Sequence, residues 1–134
     1  MNALQIPVRT RHHSEMIDVT AEVERAVEKS GILSGICLVF CPHTTAGLAI
    51  NENADPSVRR DILTSLSKIV TENDPEYEHS EGNSAAHVKS SLLGSSVKII
   101  IENGRLLLGT WQGIYFCEFD GPRERRIHVK IVEG

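Results

Sequence analysis

The sequence has little of what defines several large protein classes. Aromatic residues make up only 4% of its 134 residues, and no apolar run approaches the ~20 residues that a membrane-spanning helix needs. Positive charge is also scarce, since 14 Lys and Arg stand against 18 Asp and Glu for a net charge of -4. General nucleic-acid binding requires a basic surface. We therefore expect neither a membrane nor a nucleic-acid partner.

Cysteine is also sparse, with three residues in the chain. Cys37 and Cys41 lie four residues apart in a predicted strand, so at ~3.3 Å per residue their Cα atoms are ~13 Å apart, too far for a disulfide. This favours buried free thiols in a reducing compartment. The first residues lack the basic-then-apolar pattern of a secretion signal, which also indicates a cytoplasmic protein.

The length and an apolar content of 40% are typical of one domain with a real core, and we expect a single domain over 1–134. Alternation and turn residues predict strands at 4–10, 15–18, 35–41, 47–53, 97–101, 105–108, 109–119 and 127–132. Helical spacing predicts helices from Asp18 or Thr20 to Ser30, at 56–70 and at 84–93. This order predicts an α+β fold with mostly antiparallel strands in a β-sandwich-like core and two to three helices.

Several local signals support these elements. Pro7 indicates an edge strand, and Asn103-Gly104 between apolar runs predicts a hairpin. The apolar run 35–41 predicts a central strand buried on both faces. In the helix at 56–70, Val58, Ile62, Leu66 and Ile69 form the predicted buried stripe, with Arg59, Arg60 and Asp61 solvated. The last third of the chain is expected to form an antiparallel meander that ends with strand 127–132 closing the sheet.

The other elements are organised around the stretch 41–55, CPHTTAGLAINENAD, which brings a dense polar cluster to the end of a strand. In the strand at 47–53, the face with Gly47, Ala49, Asn51 and Asn53 is small and polar, so a ligand could approach its backbone. Glu52 falls among the apolar positions, so either the strand ends there or its carboxylate is paired. Asp55 before Pro56 is a strong helix start and could be a cap or a catalytic group.

Three histidines stand in suggestive places: His43 at a strand end, His79 in the long loop 71–82, and His87 in the first turn of the third helix. The positive helix end favours a neutral imidazole at His87, and the free amides there could hold a phosphate. Three histidines around one metal would leave an open position for water or substrate. Because the chain has no HxxxH or CxxC spacing, surface or capping roles stay open. Trp111 could be a core anchor or a ring that stacks on a ligand.

Several motifs, in this order, resemble one family: His43 to Ala46, Ile50 to Pro56 (INENADP), Arg59 to Asp61, His79 to Gly82, Ala86 to Lys89, Leu93-Gly94 and Gly109 to Tyr115 (GTWQGIY). It is the YjbQ family, described as secondary thiamine-phosphate synthase enzymes. The resemblance implies a compact α+β domain that packs as a homotrimer, with shared polar residues in a cleft near a subunit boundary.

The resemblance also implies an activity: joining hydroxymethylpyrimidine diphosphate to thiazole phosphate with release of pyrophosphate. The catalytic residues it implies are Glu52, Asp55 and His87, with Glu52 and Asp55 as ligands of magnesium. The substrate-binding residues it implies are Asn51, Asn53, Glu81, Trp111 and Gln112. The metal ligands it implies are His43, His79 and His87. We therefore expect a divalent metal, Mg or Zn, and a small phosphorylated substrate.

Two other functions stay open at this point. One is metal-dependent hydrolysis with water on a three-histidine ion. The other is a trimeric protein that binds a metal or small ligand without turnover.

Overall fold

The structure is a computed structural model that describes residues 2–134. The strands are β1 (Leu4–Arg9), β2 (Glu15–Asp18), β3 (Ser34–Phe40), β4 (Ala46–Glu52), β5 (Ser96–Glu102), β6 (Arg105–Leu106), β7 (Gln112–Glu118) and β8 (Glu124–Glu133). The helices are α1 (Thr20–Ser30), α2 (Pro56–Ile69) and α3 (Ser84–Leu93). Within the described part of the chain, no helix is long and apolar enough to cross a membrane.

The strands form two antiparallel sheets, one of five strands in the order β1-β8-β3-β5-β6 and one of three in the order β2-β7-β4. The predicted α+β fold is confirmed. β1 is an edge strand, as Pro7 predicts. The Asn103-Gly104 hairpin is also confirmed, because both residues have positive φ (53° and 75°) between β5 and β6, as a primed two-residue turn requires.

The main core lies between the two sheets and is completed by α1. Val39 of β3, Val129 of β8 and Phe116 of β7 are completely buried there, together with Val23 of α1. α1 ends at Gly31, which adopts φ 68° and donates its amide to Glu28. Only glycine takes this left-handed conformation readily, so the helix stops where the sequence predicts.

A second, smaller core covers the other face of the three-stranded sheet, where α2 and α3 pack. It contains Leu66 of α2, Ala86 of α3 and Tyr115 of β7. Two predictions about α2 are wrong: Ile69 is 71% exposed, and Arg59 is not solvated but stacks 5.2 Å above the Tyr115 ring. The apolar residues of α2 that pack in this core are Ile62, Leu63 and Leu66, so the buried stripe does not extend to Ile69.

The predicted C-terminal meander is wrong. After the β5–β6 hairpin the chain crosses to the other sheet as β7, between β2 and β4, and returns as β8 between β1 and β3. Strand β8 is therefore an interior strand and does not close a sheet. The predicted strand at 109–119 begins only at Gln112, because Gly109 to Trp111 form a turn in which Gln112 donates its amide to Gly109.

β3 is central, as predicted, but it is not buried on both faces. Cys37 and Val39 face the core, whereas Ile36 is 50% and Phe40 is 42% exposed. Periodicity could not show this difference because both faces of β3 carry apolar side chains. The outer face of the five-stranded sheet therefore presents apolar groups to solvent. The three cysteines are free and buried, as expected.

Candidate functional site

The polar end of β4 is held in place by hydrogen bonds to its neighbours. Glu52 is the last residue of the strand, and its carboxylate Oε2 accepts the Asp55 amide at 3.2 Å. Its carbonyl accepts the Tyr115 hydroxyl at 3.0 Å. The Asn51 side-chain oxygen accepts the Glu52 amide at 2.7 Å. The strand thus ends at Glu52, which explains how a carboxylate fits the apolar position of the pattern.

Asp55 caps α2. Its Oδ1 accepts the Ser57 amide at 2.9 Å and the Ser57 hydroxyl at 2.7 Å, and Pro56 follows as the first helical residue. These hydrogen bonds lower the pKa of Asp55. The predicted cap is confirmed, and the catalytic role of Asp55 stays a prediction.

The face of β4 that was predicted to be open to a ligand is covered at Gly47. A Cβ built on Gly47 would lie 2.8 Å from the Gly94 carbonyl and 3.4 Å from Leu93. The end of α3 therefore covers Gly47, and no ligand can approach the backbone there. The accessible polar groups of this strand lie at its other end, at Asn51, Glu52 and Asn53.

A cleft of about 870 Å³ opens beside that end, between α1 and the segment Gly104 to Gln112. Asn53 and Gln112, two of the predicted substrate-binding residues, line it. The side-chain amide of Asn53 donates to Asp18 Oδ2 at 3.1 Å. The side-chain oxygen Oε1 of Gln112 accepts the backbone amide of Gly109 at 2.8 Å. Both amides are thereby held in fixed orientations within the same cleft.

Opposite signs of charge line this cleft. Asp18, Glu22, Glu24 and Glu28 supply carboxylates from the side of α1. Arg105 is the single cation among the lining residues, and it comes from the hairpin side. The Oε2 atom of Glu22 is shielded from solvent and has no hydrogen-bond partner among the described residues. Its other oxygen, Oε1, accepts from Arg25 at 3.4 Å, so one oxygen of this ion-paired carboxylate is left for a second cation.

Trp111 precedes Gln112 and is 62% exposed. It is therefore not a core anchor. Its carbonyl accepts the backbone amide of Asn53 at 3.0 Å, which fixes the turn beside the cleft. The role of a ring that stacks on a ligand stays a prediction.

Two of the three suggestive histidines come together. The rings of His79 and His87 meet edge to face with their centroids 5.4 Å apart, and His79 Nε2 lies 4.0 Å from Glu81 Oε2. With Tyr77, Ser84 and other residues they line a second cavity of about 540 Å³. His87 lies in the first turn of α3, as the sequence predicts.

The start of α3 has no side-chain cap. Asn83 occupies the cap position, but its amide donates instead to Asp120 at 2.9 Å. Its Oδ1 is shielded from solvent without a hydrogen-bond partner in the described chain. The predicted position of the helix start is confirmed, and its first amides are not satisfied by the Asn83 side chain.

His43 lies elsewhere. Its Nε2 is 3.1 Å from the amide nitrogen and 3.2 Å from the carbonyl oxygen of Arg126 in β8. Its ring packs against the edge of Phe116, with centroids 6.3 Å apart. Partial burial, followed by the nearby charge of Arg125, lowers the pKa of His43. A lowered pKa favours the neutral ring, which a metal ligand or proton acceptor requires.

The predicted site residues therefore form separate groups within one chain. His43 packs against Phe116 on the core face of the three-stranded sheet, whereas α3 with His87 covers the opposite face. The cleft lies at the Gln112 end of β7, whereas the start of α3 lies near Asp120. Gln112 and Asp120 are eight residues apart, which corresponds to ~26 Å along an extended strand. Within residues 2–134, no group of three or more His, Cys, Asp or Glu is placed to hold a metal ion.

Sequence reasoning missed the α1 side of the cleft. Asp18 and Glu22 come from the consecutive elements β2 and α1, whereas Arg105 comes from β6, far along the sequence. The carboxylates on α1 have the pattern of an ordinary solvated helix face. The separation of Thr20, Glu24 and Glu28 by four residues was the available signal, because this spacing places them on one face of the helix. Nothing in the sequence indicates what that face would meet.

Comparison with known proteins agrees with this fold. The model of the UPF0047 protein YjbQ-like family matches residues 4–134. The chain is 53% identical over 127 residues to the UPF0047 protein YugU of Bacillus subtilis, covering 95% of this chain and 96% of that protein. It is 51% identical over 125 residues to the UPF0047 protein MJ1081 of Methanocaldococcus jannaschii, covering 93% of this chain and 90% of that protein.

Solved structures agree as well. A crystal structure of a YjbQ/UPF0047 family protein from Clostridium acetobutylicum is 56% identical and superposes with a TM-score of 0.94, covering 96% of this chain and 99% of that one. The protein APE1520 of Aeropyrum pernix gives a TM-score of 0.94 at 35% identity over the whole of both chains. The resemblance inferred from the sequence motifs is thus confirmed, and the chain belongs to the YjbQ-like UPF0047 family.

Proposed function

We propose that the protein is an enzyme that acts on a small phosphorylated heterocycle bound in the cleft between α1 and the segment Gly104 to Gln112. The observation that carries this proposal is the pair of fixed amides, Asn53 and Gln112, in one cleft of about 870 Å³. This volume suits a small organic ligand, and amides in fixed orientations suit a heterocycle with ring nitrogens. Trp111 is exposed and lies in the chain between Thr110 and Gln112, which line the cleft, and we propose that its ring stacks on the ligand.

The reaction we propose is that of a thiamine-phosphate synthase. The thiazole nitrogen bonds to the methylene carbon of the pyrimidine as the carbon–oxygen bond to diphosphate breaks. Pyrophosphate leaves with that electron pair, the thiazole nitrogen becomes positively charged, and no proton is transferred. Positive charge therefore develops at the joining atoms, where the carboxylates of Asp18 and Glu22 on the α1 side would stabilise it.

A divalent cation fits the proposed chemistry because the diphosphate would otherwise face an acidic wall. Mg²⁺ is usually bound by one or two carboxylates together with substrate phosphates, and the orphaned Oε2 of Glu22 supplies such a ligand. When bound, the ion would neutralise charge on the leaving diphosphate. Glu52 and Asp55, the ligands implied by the resemblance, each have one carboxylate oxygen engaged within the protein. Arg105 remains as the cation for a phosphate on the opposite wall.

The test is formation of thiamine phosphate from the two phosphorylated heterocycles in the presence of Mg²⁺. We expect Gln112→Ala to lower kcat/KM at least about tenfold, because it removes an orienting side chain from the cleft. Gln5→Ala is the matched control, since Gln5 is exposed on the edge strand β1. Equal rates for the two variants, or no product from the unaltered protein, would remove this proposal.

The contact between His79 and His87 favours a second candidate, hydrolysis by a zinc-bound water. Two adjacent imidazoles and the nearby Glu81 form a partial ligand set. We propose that His43 of a neighbouring copy supplies the third imidazole. Zinc bound in proportion to protein, and lost in both His87→Gln and His43→Gln, would support this function. Zinc unaffected by His43→Gln would exclude a shared site, and absence of zinc would exclude the hydrolase and the metal-binding protein alike.

We also propose that the protein is a homotrimer that packs through the outer face of the five-stranded sheet. Ile36 is paired with Ile100 on one side and Val132 on the other, and all three are at least half exposed. Contiguous apolar groups on one sheet face are typical of an interface. A second copy is also required if His43 and His87 are to contribute to one site.

A further inference from the structure

The loop between α2 and α3 carries His79 and is joined to α3 at two points. Near its end, His79 contacts the His87 ring. Near its start, Glu72 accepts a hydrogen bond from Lys89. His87 and Lys89 lie two residues apart on α3, so one helix segment holds both ends of the loop.

The Lys89 contact is unusually well shielded for a surface loop. Its Nζ lies 2.6 Å from Glu72 Oε1, and only 4% of the Lys89 side chain is exposed. The ammonium also lies 5.8 Å from the centre of the Phe119 ring. Among the ion pairs of the described chain, this is the one that joins the loop to another element.

The loop is closed on itself between these two points. The Tyr77 hydroxyl donates to the Thr71 carbonyl at 2.6 Å, and the Glu76 amide donates to Asp74 Oδ1 at 2.9 Å. Glu72 lies inside the segment that Tyr77 closes. A displacement of Glu72 would therefore move Tyr77, and with it His79 two residues later.

We propose that Lys89 and Glu72 are positioning residues that hold His79 against His87. A buried ammonium needs a charged partner, so Lys89 fixes the start of the loop. The self-closed segment transmits that position to His79. Neither Lys89 nor Glu72 need touch a ligand for this role.

This proposal predicts two effects of removing Lys89 or Glu72. The effect on zinc affinity rests on the proposed metal-binding role, whereas the effect on the contact between the two rings does not. The experiment therefore has two readouts in the full-length protein. The first is the nuclear Overhauser contact between the His79 and His87 ring protons without metal. The second is the affinity for Zn²⁺, measured by calorimetry.

The variants are Glu72→Gln, Lys89→Met and the two combined, with Lys68→Met on the exposed side of α2 as the charge-removal control. We expect the ring contact to be lost in each test variant and kept in the control. Zinc affinity should fall about 10- to 100-fold, as is typical when a residue behind a metal ligand is removed. The combined variant should be no worse than either single one, because both act through the same pair.

Lys89→Met leaves only the Glu72 carboxylate, which is 46% exposed and is solvated, so this variant keeps the protein folded even if Glu72→Gln, which leaves the buried ammonium unpaired, does not. A ring contact that survives in Lys89→Met overturns the inference. A lost contact in a protein that never binds zinc supports the positioning role and removes only the metal-binding proposal.

Discussion

Glu118 and Arg125 form a buried ion pair that joins the two sheets. Arg125 Nε donates to Glu118 Oε1 at 2.8 Å, and the two side chains are 7% and 0% exposed. Glu118 ends β7 in the three-stranded sheet, and Arg125 lies in β8 of the five-stranded sheet. Thr10 and Thr45 complete the network with hydrogen bonds of 2.8 Å to Glu118 and Arg125.

Removing one partner of this pair should strongly destabilise the fold. In Arg125→Met the Glu118 carboxylate is left buried and without its charged partner, and we expect a loss of about 3–5 kcal/mol in the free energy of unfolding. Urea denaturation followed by circular dichroism measures this loss. Arg126→Met is the matched control, because Arg126 is the neighbouring residue of β8 and is exposed. Similar midpoints for the two variants would contradict the role of the pair.

The same pair should make stability depend on acid. Burial by itself raises the pKa of Glu118, but hydrogen bonds from Arg125, the Asp120 amide and Thr10 outweigh it and hold the pKa below its ordinary value of 4.5. A group whose pKa is lowered on folding stabilises the protein above the unfolded value, and this contribution is lost as the pH falls through the folded pKa.

We therefore expect the urea midpoint to decrease as the pH falls below about 4.5. In Glu118→Gln the midpoint should be lower at pH 7 and should decrease less with acid, since the titrating group is gone. An unchanged acid dependence in that variant would show that other carboxylates dominate.

Local signals in the sequence predict local structure well. The Asn103-Gly104 turn, the Asp55-Pro56 helix start and the stop at Gly31 all lie where the residues predict them. Each depends on the backbone conformation of one or two residues. The assignment of strands to sheets depends instead on long-range pairing, and β7 and β8 lie in different sheets although they follow each other in the chain.

The candidate site was predictable only in part, because its residues are brought together by the pairing of distant strands. Asn53 and Gln112 meet because Glu52 and Gln112 are paired across β4 and β7, a register that a single sequence does not give. Asp18 and Arg105 have the appearance of ordinary surface charges until α1 and the hairpin are placed opposite each other. The motif resemblance identified Asn53 and Gln112 without that geometry, and it did not identify Asp18.

Gly113 offers a way to displace Asn53 from outside the cleft. A Cβ at this position would lie 2.4 Å from Asn53 Nδ2 and 2.8 Å from its Cβ. We expect Gly113→Ala to push Asn53 away from Asp18, to cost about 1–3 kcal/mol in stability and to abolish binding of thiamine phosphate in calorimetry. Gly134→Ala, where nothing lies within 4 Å, is the control.

The stability cost of Gly113→Ala should largely disappear in an Asn53→Gly background, because the added methyl group then meets no side chain. If binding persists in Gly113→Ala, Asn53 does not contact the ligand.

The two roles considered for Asp55 can be separated by substitution. Asp55→Ala removes the acceptor for Ser57 and should lower the thermal midpoint, whereas Asp55→Ser keeps a capping oxygen and should restore it. Only the serine variant therefore tests catalysis on a stable helix. We expect Asp55→Ser to lower kcat if the carboxylate contacts the metal or substrate, and normal turnover would leave Asp55 as a cap alone.

The proposed trimer interface makes a specific prediction for Ile36. This residue is 50% exposed between Ile100 and Val132 on the outer sheet face, so Ile36→Lys would bury a charge in every copy of a trimer. Burial of an unpaired charge opposes association, and we expect the mass in sedimentation equilibrium to fall from three copies to one. Leu92→Lys on α3, where Leu92 is 59% exposed, should leave the trimer intact. A protein that is monomeric without substitution would exclude a site shared between copies. A trimer that tolerates Ile36→Lys would contradict the proposed interface, and His43 and His87 could then meet only through a different face.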